Sequence, residues 1–163
     1  MKPRSPRVVE LLNEALTIEL TVVNTYFLHA RMLDNWGLTK LGQVFYELSI
    51  GEMKDADKLM NRILMYDGHP NVQRLNPITI GESVEEMLRL ALASELEAVS
   101  AFNSAADECH DLGDHATASI FQEMAREEEE HADWFEGQLD AVRRAGIENY
   151  SAMQLSPGEG PTD

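Results

Sequence analysis

Four long stretches of the chain repeat apolar residues every three or four positions, the spacing that lines one face of a helix. They run from Pro6 to about Asp34, from Thr39 to Tyr66, from Val84 to His110 and on to about Ala145. A short turn-forming segment joins the first stretch to the second, and another joins the third to the fourth. Residues 67–83, rich in turn formers and β-branched residues, join these two pairs of stretches. The pattern predicts an all-α four-helix bundle with one long crossover.

The chain after the fourth stretch is expected to add little to this bundle. Gly146 is typical of a helix end, and IENYSAMQ behind it predicts one short further helix. The tail at 156–163 is rich in Gly and Pro and is expected to be disordered. A single domain is therefore predicted over residues 1–155.

An acidic residue interrupts each apolar stripe near its middle. The interrupting residues are Glu19 in the first stripe, Glu52 and Asp55 in the second, Glu95 in the third, and Glu128 with His131 in the fourth. Counted from the predicted turns, the glutamates lie 16 or 17 residues away, so antiparallel packing brings them to similar levels. The sequence therefore predicts four glutamates meeting inside the bundle.

A shift of 76 positions aligns the first helix pair with the second. Residues 14–26 fall on 90–102, and residues 45–59 fall on 121–135 with Glu52 on Glu128. A duplicated helix pair explains both matches, with coincidence in a helical chain as the alternative. In this register Asp55 faces His131.

Carboxylates that meet in a protein core need their negative charge compensated. Two of them about 4 Å apart repel by ~4 kcal/mol even at an effective dielectric constant of ~20. A helix rotated slightly outward would relieve a single glutamate, but four acids at one level favour a shared site neutralised by protons or cations. Oxygen ligands together with His131 suit divalent or trivalent metal ions.

The overall charge of the chain limits the classes of partner that it can bind. The 163 residues include 13 Lys and Arg against 29 Asp and Glu, a formal net charge of −16. This balance argues against a nucleic acid or an anionic membrane surface and favours cations. Cys109 is the only cysteine, no apolar stretch is long enough to span a membrane, and the start lacks a signal-peptide core, so the cytoplasm is the expected compartment.

Several segments, loops included, resemble bacterioferritins, and the resemblance reaches to about Tyr150. They are NTYFLHARMLDNWGL (24–38), ELSIGEMKDADKLMNRIL (47–64), GHPNVQRL (68–75), IGESVEEMLR (80–89) and EEEEHADWFE (127–136). The resemblance implies a ferritin-like subunit of a hollow shell of 24 copies. Such shells oxidise Fe(II) with dioxygen or peroxide at an intrasubunit di-iron site and store ferric mineral, and the resemblance also implies a ferredoxin-type reductant for iron release.

The resemblance also assigns roles to residues of the cluster. It implies Glu19, Glu52, Glu95, Glu128 and His131 as the catalytic iron ligands, with Glu52 and Glu128 bridging the two ions. The family carries a histidine where this chain has Asp55. Either Asp55 ligates iron as a carboxylate, or the site is altered and ferroxidase activity is reduced. In the second case the chain is a haem-bearing subunit with an impaired centre, co-assembled with an active subunit type.

A second cofactor is implied by the methionine that follows Glu52. In bacterioferritins a methionine at this place ligates haem b from both sides of a subunit pair, and Met53 occupies it. The residues matching the family's haem pocket are Asn24, Phe27, Trp36, Tyr46 and Ile50. The alternative outside the iron-binding proteins is a metal-free helical module that binds other proteins. Bound haem and iron would be present in a bacterioferritin and absent from such a module.

Other polar residues are given smaller roles. His29, His69, His110 and His115 are expected at the surface or in loops. Tyr26, seven residues after Glu19, is placed to hydrogen-bond a ligand carboxylate.

Overall fold

The structure, a computed structural model, describes residues 1–155 of the chain, which form five helices and no strand. The helices are α1 (Pro6–Asn35), α2 (Thr39–Met65), α3 (Val84–Asp111), α4 (His115–Ala145) and α5 (Ile147–Met153). The predicted all-α bundle with a long crossover and a short fifth helix is confirmed. The tail expected at 156–163 lies outside the described residues.

Two helical hairpins make up the bundle, α1 packing along α2 and α3 along α4. Each hairpin turns through a glycine of positive φ, 81° at Gly37 and 75° at Gly113. That conformation costs a residue with a Cβ but not glycine. The two glycines are 76 residues apart, which is the offset of the predicted duplication, so the two turns repeat as well as the helices.

Polar residues fix where three of the long helices begin. The side chains of Ser5, Ser83 and Asp114 each accept a hydrogen bond from a backbone N–H of the first turn that follows. Such caps satisfy donors that the helix itself leaves free. Pro6 stands at the start of α1, where its missing N–H costs nothing, and α4 ends at Gly146 with a φ of 80°.

The crossover between α2 and α3 is fastened along α1. Three crossover backbone N–H groups each donate to an α1 side chain: Asn71 to Asn13 Oδ1 at 2.7 Å, Asn76 to Thr21 Oγ1 at 2.9 Å and Gly81 to His29 Nε2 at 3.0 Å. The order of the contacts shows that the crossover runs parallel to α1. It therefore delivers α3 to the end of the bundle where α1 finishes, and α2 and α3 lie parallel.

His29 is the exception among the histidines expected at the surface or in loops, because it is fully buried. Desolvation lowers the pKa of His29 to about 4, so its ring is neutral at physiological pH. The neutral ring can accept from the Gly81 N–H, and its edge packs against Phe45. The expectation failed because the path of the crossover leaves no periodic signal in the sequence.

Apolar side chains form two separate clusters along the bundle axis. One cluster joins the beginning of α1 to the end of α2, the end of α3 and the beginning of α4. The other joins the opposite ends of the same helices and includes Tyr150 of α5. The middle of the bundle is left for the acidic residues. Within residues 1–155, no helix combines the length and apolar character needed to cross a bilayer.

A buried polar network ties the two hairpins together at one end. Asp114, the residue just before α4, accepts hydrogen bonds from Arg62 of α2, from Tyr66 just after α2 and from the Thr117 backbone. Arg62 also donates to Thr117 Oγ1 at 2.9 Å. Burial acts to raise the pKa of Asp114, but the hydrogen bonds from Tyr66 and Thr117 and the charge of Arg62 outweigh it and lower the pKa.

Replacing Asp114 with alanine is expected to lower the free energy of unfolding by about 2–4 kcal/mol. The change removes a helix cap, leaves the buried Tyr66 hydroxyl without its acceptor and takes from the partly buried Arg62 guanidinium its only anionic partner among the described residues. Chemical denaturation at matched protein concentration measures the loss. Because the pKa of Asp114 is lowered on folding, its contribution is present above its ordinary pKa and fades as pH falls, so the difference from wild type should shrink below pH ~4.

Asp111→Ala is the matched control, since Asp111 is exposed and its side chain makes no hydrogen bond within residues 1–155. Its effect should stay within about 0.5 kcal/mol. Equal losses in the two variants would contradict a role for the network in joining the hairpins.

Candidate metal centre

The layer between the two apolar clusters holds one buried glutamate from each long helix. Glu19 of α1, Glu52 of α2 and Glu95 of α3 are each 1% exposed, and Glu128 of α4 is 2% exposed. Acidic side chains are almost never this buried unless something pairs with them. The helical rise and the antiparallel packing within each hairpin bring all four to one level.

Four side chains converge tightly within this layer. Glu52, Glu95, Glu128 and His131 each offer one ligand atom, and the four atoms lie within 4.8 Å of one another. His131 Nδ1 is 3.0 Å from Glu128 Oε2 and 3.3 Å from Glu52 Oε1. Ligands at about 2.0–2.2 Å from one metal ion lie up to about 4.4 Å apart, so movements of a few tenths of an ångström would allow all four to bind one ion.

Glu95 and Glu19 are held differently. The hydroxyl of Tyr26 donates a hydrogen bond to Glu95 Oε1, as the spacing of Tyr26 suggested. Glu19 Oε1 is buried and accepts no hydrogen bond from the described residues. A buried carboxylate oxygen without a donor costs free energy, and a bound cation would remove that cost.

Asp55 lies beside the convergent group but is not part of it. Its side chain is buried, and its Oδ1 is 2.8 Å from Nζ of Lys58, one helical turn further along α2. Lys58 Nζ is also 3.7 Å from Glu127 Oε1 on α4. Burial raises the pKa of both Glu19 and Glu127, and the charge of Asp55 contributes to both shifts. Asp55 therefore stands between the buried glutamates and the solvent-facing pair of Lys58 and Glu127.

The pKa shifts of the clustered residues show that the cluster requires added positive charge. Burial, followed by the charges of Glu52 and Glu128, raises the pKa of Glu19 and of Glu95 well above the ordinary range. Burial also raises the pKa of Glu52. For His131 burial acts in the other direction, but the ion pairs with Glu128 and Glu52 outweigh it and raise the pKa to about 11. Without metal, the cluster thus compensates its charge by holding protons.

These residues fit multivalent metal ions. The donors are carboxylate oxygens and one imidazole, a set that suits iron and other hard or borderline cations. The unsatisfied Glu19 oxygen and the raised pKa values both identify a site that lacks positive charge. Because carboxylates and imidazole bind metal only after losing their protons, cations and protons compete for the cluster.

Apart from Trp36, the residues matched to the haem pocket lie on the outer face of α1 and α2. Met53 is 49% exposed and Phe27 is 47% exposed, and Asn24 is exposed beside them, while Tyr46 and Ile50 are partly covered. The rings of Phe27 and Tyr46 are 6.1 Å apart. This face presents large apolar side chains to solvent, including the thioether of Met53.

Arg31 belongs to the same face and was missed by the sequence reasoning. Its guanidinium lies 5.6 Å from the ring centre of Phe27 and 5.3 Å from that of Tyr46. Its position four residues after Phe27, on one helix face, was the available signal. Trp36 lies apart, because it precedes α2 while Met53 is about 20 Å further along that helix axis. A haem contact for Trp36 stays a prediction.

Comparison with known proteins agrees with the fold. The sequence matches the family described as Ferritin-like domain over residues 9–145. It is 41% identical to the bacterioferritin of Brucella melitensis over 94% of this chain and 96% of that protein. It is 42% identical to the bacterioferritin of Mycolicibacterium paratuberculosis over 93% of this chain and 95% of that protein.

Solved structures give the same result. The bacterioferritin of Rhodobacter capsulatus superposes with a TM-score of 0.96 at 38% identity, covering 99% of this chain and 100% of that one. That structure is described as having a metal-free dinuclear site and a haem iron in a crystallographic special position. The bacterioferritin of Mycobacterium tuberculosis superposes with a TM-score of 0.93 at 38% identity, covering 96% and 98%.

A four-helix bundle with a long crossover and a carboxylate layer at mid-height defines a protein of the ferritin-like class. Within that class the chain belongs to the bacterioferritins, which are iron-storage proteins. The resemblance found in the sequence is thereby confirmed.

Replacing Glu19 with glutamine is expected to stabilise the metal-free protein increasingly as pH rises. Because the pKa of Glu19 is raised on folding, the wild type loses stability above the ordinary glutamate pKa, by up to about 1.4 kcal/mol per pH unit, until the folded pKa is passed. The amide has no such dependence. Urea unfolding of metal-free protein between pH 6 and 9 measures the difference.

Glu129→Gln provides the control, since Glu129 is exposed next to Glu128 on α4. Its stability relative to wild type should not change with pH. A flat difference for Glu19→Gln as well would mean that the Glu19 carboxyl is solvated and ionised in the folded protein.

Proposed function

We propose that this chain is a ferroxidase subunit that oxidises Fe(II) to Fe(III) at a di-iron centre inside its own bundle. In this proposal the ferric product is stored as mineral in a hollow shell of 24 subunits, each with one domain over residues 1–155. The single observation that carries the proposal is the meeting of one buried glutamate from each long helix with His131. Bacterioferritins are ferroxidases in general, which supports it further.

The proposed ligand roles follow the resemblance to bacterioferritins. Glu52 and Glu128 would bridge the two iron ions, and Glu19 and Glu95 would be terminal ligands. Burial, followed by the charges of Glu52 and Glu128, raises the pKa of both Glu19 and Glu95, which supports a site shared by all four carboxylates. His131 completes one iron position, and Asp55 stands at the corresponding place beside the other.

The chain's own residues prepare the reaction. The iron ions, when bound, supply the electrons that dioxygen or peroxide accepts. The buried carboxylates hold two cations close together and neutralise the charge gained on oxidation. His131 binds iron only as a neutral imidazole, so iron entry must remove its proton. Tyr26 fixes the orientation of Glu95 by its hydrogen bond.

Haem b is proposed to lie between two copies of the chain, with Met53 of each ligating the haem iron. The exposed thioether and the flanking apolar side chains Phe27, Tyr46 and Ile50 support this assignment, because a methionine thioether is one of the axial ligands of haem iron in proteins and the macrocycle packs against apolar side chains. The haem iron described in the Rhodobacter capsulatus bacterioferritin supports it as well. A ferredoxin-type protein is the proposed reductant for iron release.

One observation favours a second candidate function. The ion pair between Asp55 and Lys58 engages the carboxylate that would complete the second iron position. If Asp55 stays in that pair, the chain is a haem-bearing storage subunit with an impaired ferroxidase centre, working in a mixed shell beside an active subunit type.

Aerobic addition of Fe(II) to the assembled protein separates the two functions. We expect a rapid oxidation phase that saturates at two Fe(II) per chain, followed at ultraviolet wavelengths. Glu128→Gln should slow this phase at least about 100-fold, since even outer partners of metal ligands are worth about 10–100-fold. Glu130→Gln, at an exposed position of α4, should leave the phase unchanged.

Asp55→His decides between the candidates. No saturable phase in the wild type, together with its appearance in Asp55→His, would support the impaired subunit. A rapid phase in the wild type that Asp55→His does not accelerate would support the active ferroxidase.

For haem, we expect one haem per two chains in the purified assembly, and its loss in Met53→Leu. The substitution keeps the volume and apolar character of the side chain but removes the sulfur ligand. The absorption spectrum of the haem, compared with the protein concentration, gives the ratio. Met153→Leu, also at an exposed methionine, should retain full occupancy. Full haem content in Met53→Leu would refute the assignment of the axial ligand.

A further inference from the structure

The two halves of the candidate metal centre are built differently. On one side Glu52, Glu95, Glu128 and His131 already bring their ligand atoms within 4.8 Å of one another. On the other side the Asp55 carboxylate is paired with the Lys58 ammonium at 2.8 Å, and Asp55 is absent from the convergent group. A buried oxygen without a hydrogen-bond donor among the described residues occurs on both sides, at Glu19 Oε1 and at Glu52 Oε1. The preassembled side needs only small movements to bind a cation, whereas the other must first be rearranged.

We propose that the two metal positions have unequal affinity, and that Lys58 is the positioning residue that makes the position at Glu19 and Asp55 the weaker one. The inference rests on the di-iron centre proposed above. It assigns Lys58 no contact with metal, since the ammonium acts by holding the Asp55 carboxylate.

Lys58 lies at the solvent-facing edge of the site. Its side chain is 45% exposed, while its Nζ reaches Asp55 Oδ1 at 2.8 Å and Glu127 Oε1 at 3.7 Å. Residues three apart on a helix share a face, so the contact with Asp55 needs no distortion of α2. Because Asp55 is buried, its pairing with Lys58 is less screened by solvent than a fully exposed pair would be.

The ion pair explains how the core accepts one more carboxylate. A buried charge without a partner is strongly destabilising, and Lys58 supplies the opposite charge for Asp55. For Asp55 to bind a second metal ion, its carboxylate must leave the ammonium or share it. A positive charge held at that edge also opposes the entering cation. Both effects weaken the second position and leave the His131 position largely unaffected.

Anaerobic titration of the assembled, metal-free protein with Co(II) tests the proposal, because the Co(II) spectrum distinguishes a site with a nitrogen ligand from one with only oxygen ligands. Wild type should bind the nitrogen-ligated ion first and the oxygen-ligated ion second, with affinities at least about tenfold apart. Lys58→Met should tighten only the second step by about tenfold, the lower end of the range for residues that orient metal ligands. Lys58→Arg, which keeps the charge, should retain the separation.

Two further variants show whether Lys58 acts through Asp55. In the Asp55→Asn background, Lys58→Met should no longer tighten the second step relative to Asp55→Asn alone. Lys54→Met removes the same charge from an exposed position of α2 that has no ion pair within residues 1–155, and it should leave both steps as in wild type. The proposal is overturned if wild type binds both ions equally, if the gain survives Asp55→Asn, or if Lys54→Met reproduces it.

The test also distinguishes this inference from the proposed function. If Glu128→Gln leaves the Co(II) titration unchanged, the buried cluster is not the metal site and both fail. If Glu128→Gln abolishes binding while the wild type binds two ions with one affinity, the metal centre stands and only the role of Lys58 falls.

Discussion

Repulsion among carboxylates buried at one level of the bundle is the interaction around which the rest of the molecule is arranged. Glu19, Glu52, Glu95 and Glu128 interrupt what would otherwise be a continuous apolar core, so the apolar side chains divide into two clusters on either side of them. In the metal-free protein, bound protons partly neutralise the negative charge of this layer. Such a buried layer lowers the stability of the folded protein unless positive charge is added, and the same property makes it suited to binding cations.

The stability that this layer lacks is supplied elsewhere in the bundle. The Asp114 network joins the two hairpins at one end, and hydrogen bonds from the crossover to Asn13, Thr21 and His29 fasten the connection along α1. None of these contacts involves the glutamates. The position of each helix is therefore set by contacts away from the centre, and the carboxylates are held at one level despite their repulsion.

The sequence predicted the helices and the acidic layer because both follow from periodicity. Apolar spacing and distance from the turns place Glu19 opposite Glu52 without any knowledge of side-chain contacts. What escaped prediction depends on contacts between segments that share no period. His29 is buried because an irregular crossover passes over it, and Arg31 covers two rings from different helices. The pairing of Asp55 with Lys58 depended on a choice between metal and ammonium that spacing alone does not decide.

The 76-residue offset between the two hairpins gives that pairing its significance. The offset that matches Asp55 with His131 also matches Lys58 with Trp134, whose ring packs edge-on against Phe135. In one hairpin an imidazole is thus followed one turn later by an aromatic residue, and in the other a carboxylate is followed one turn later by an ammonium. A lysine at 58 would find no acid one turn back if residue 55 were a histidine, and a buried Asp55 would be unstable without the ammonium. The two differences belong together. In the proposal above, they give two halves related by the 76-residue offset a different charge and a different demand for a metal ion.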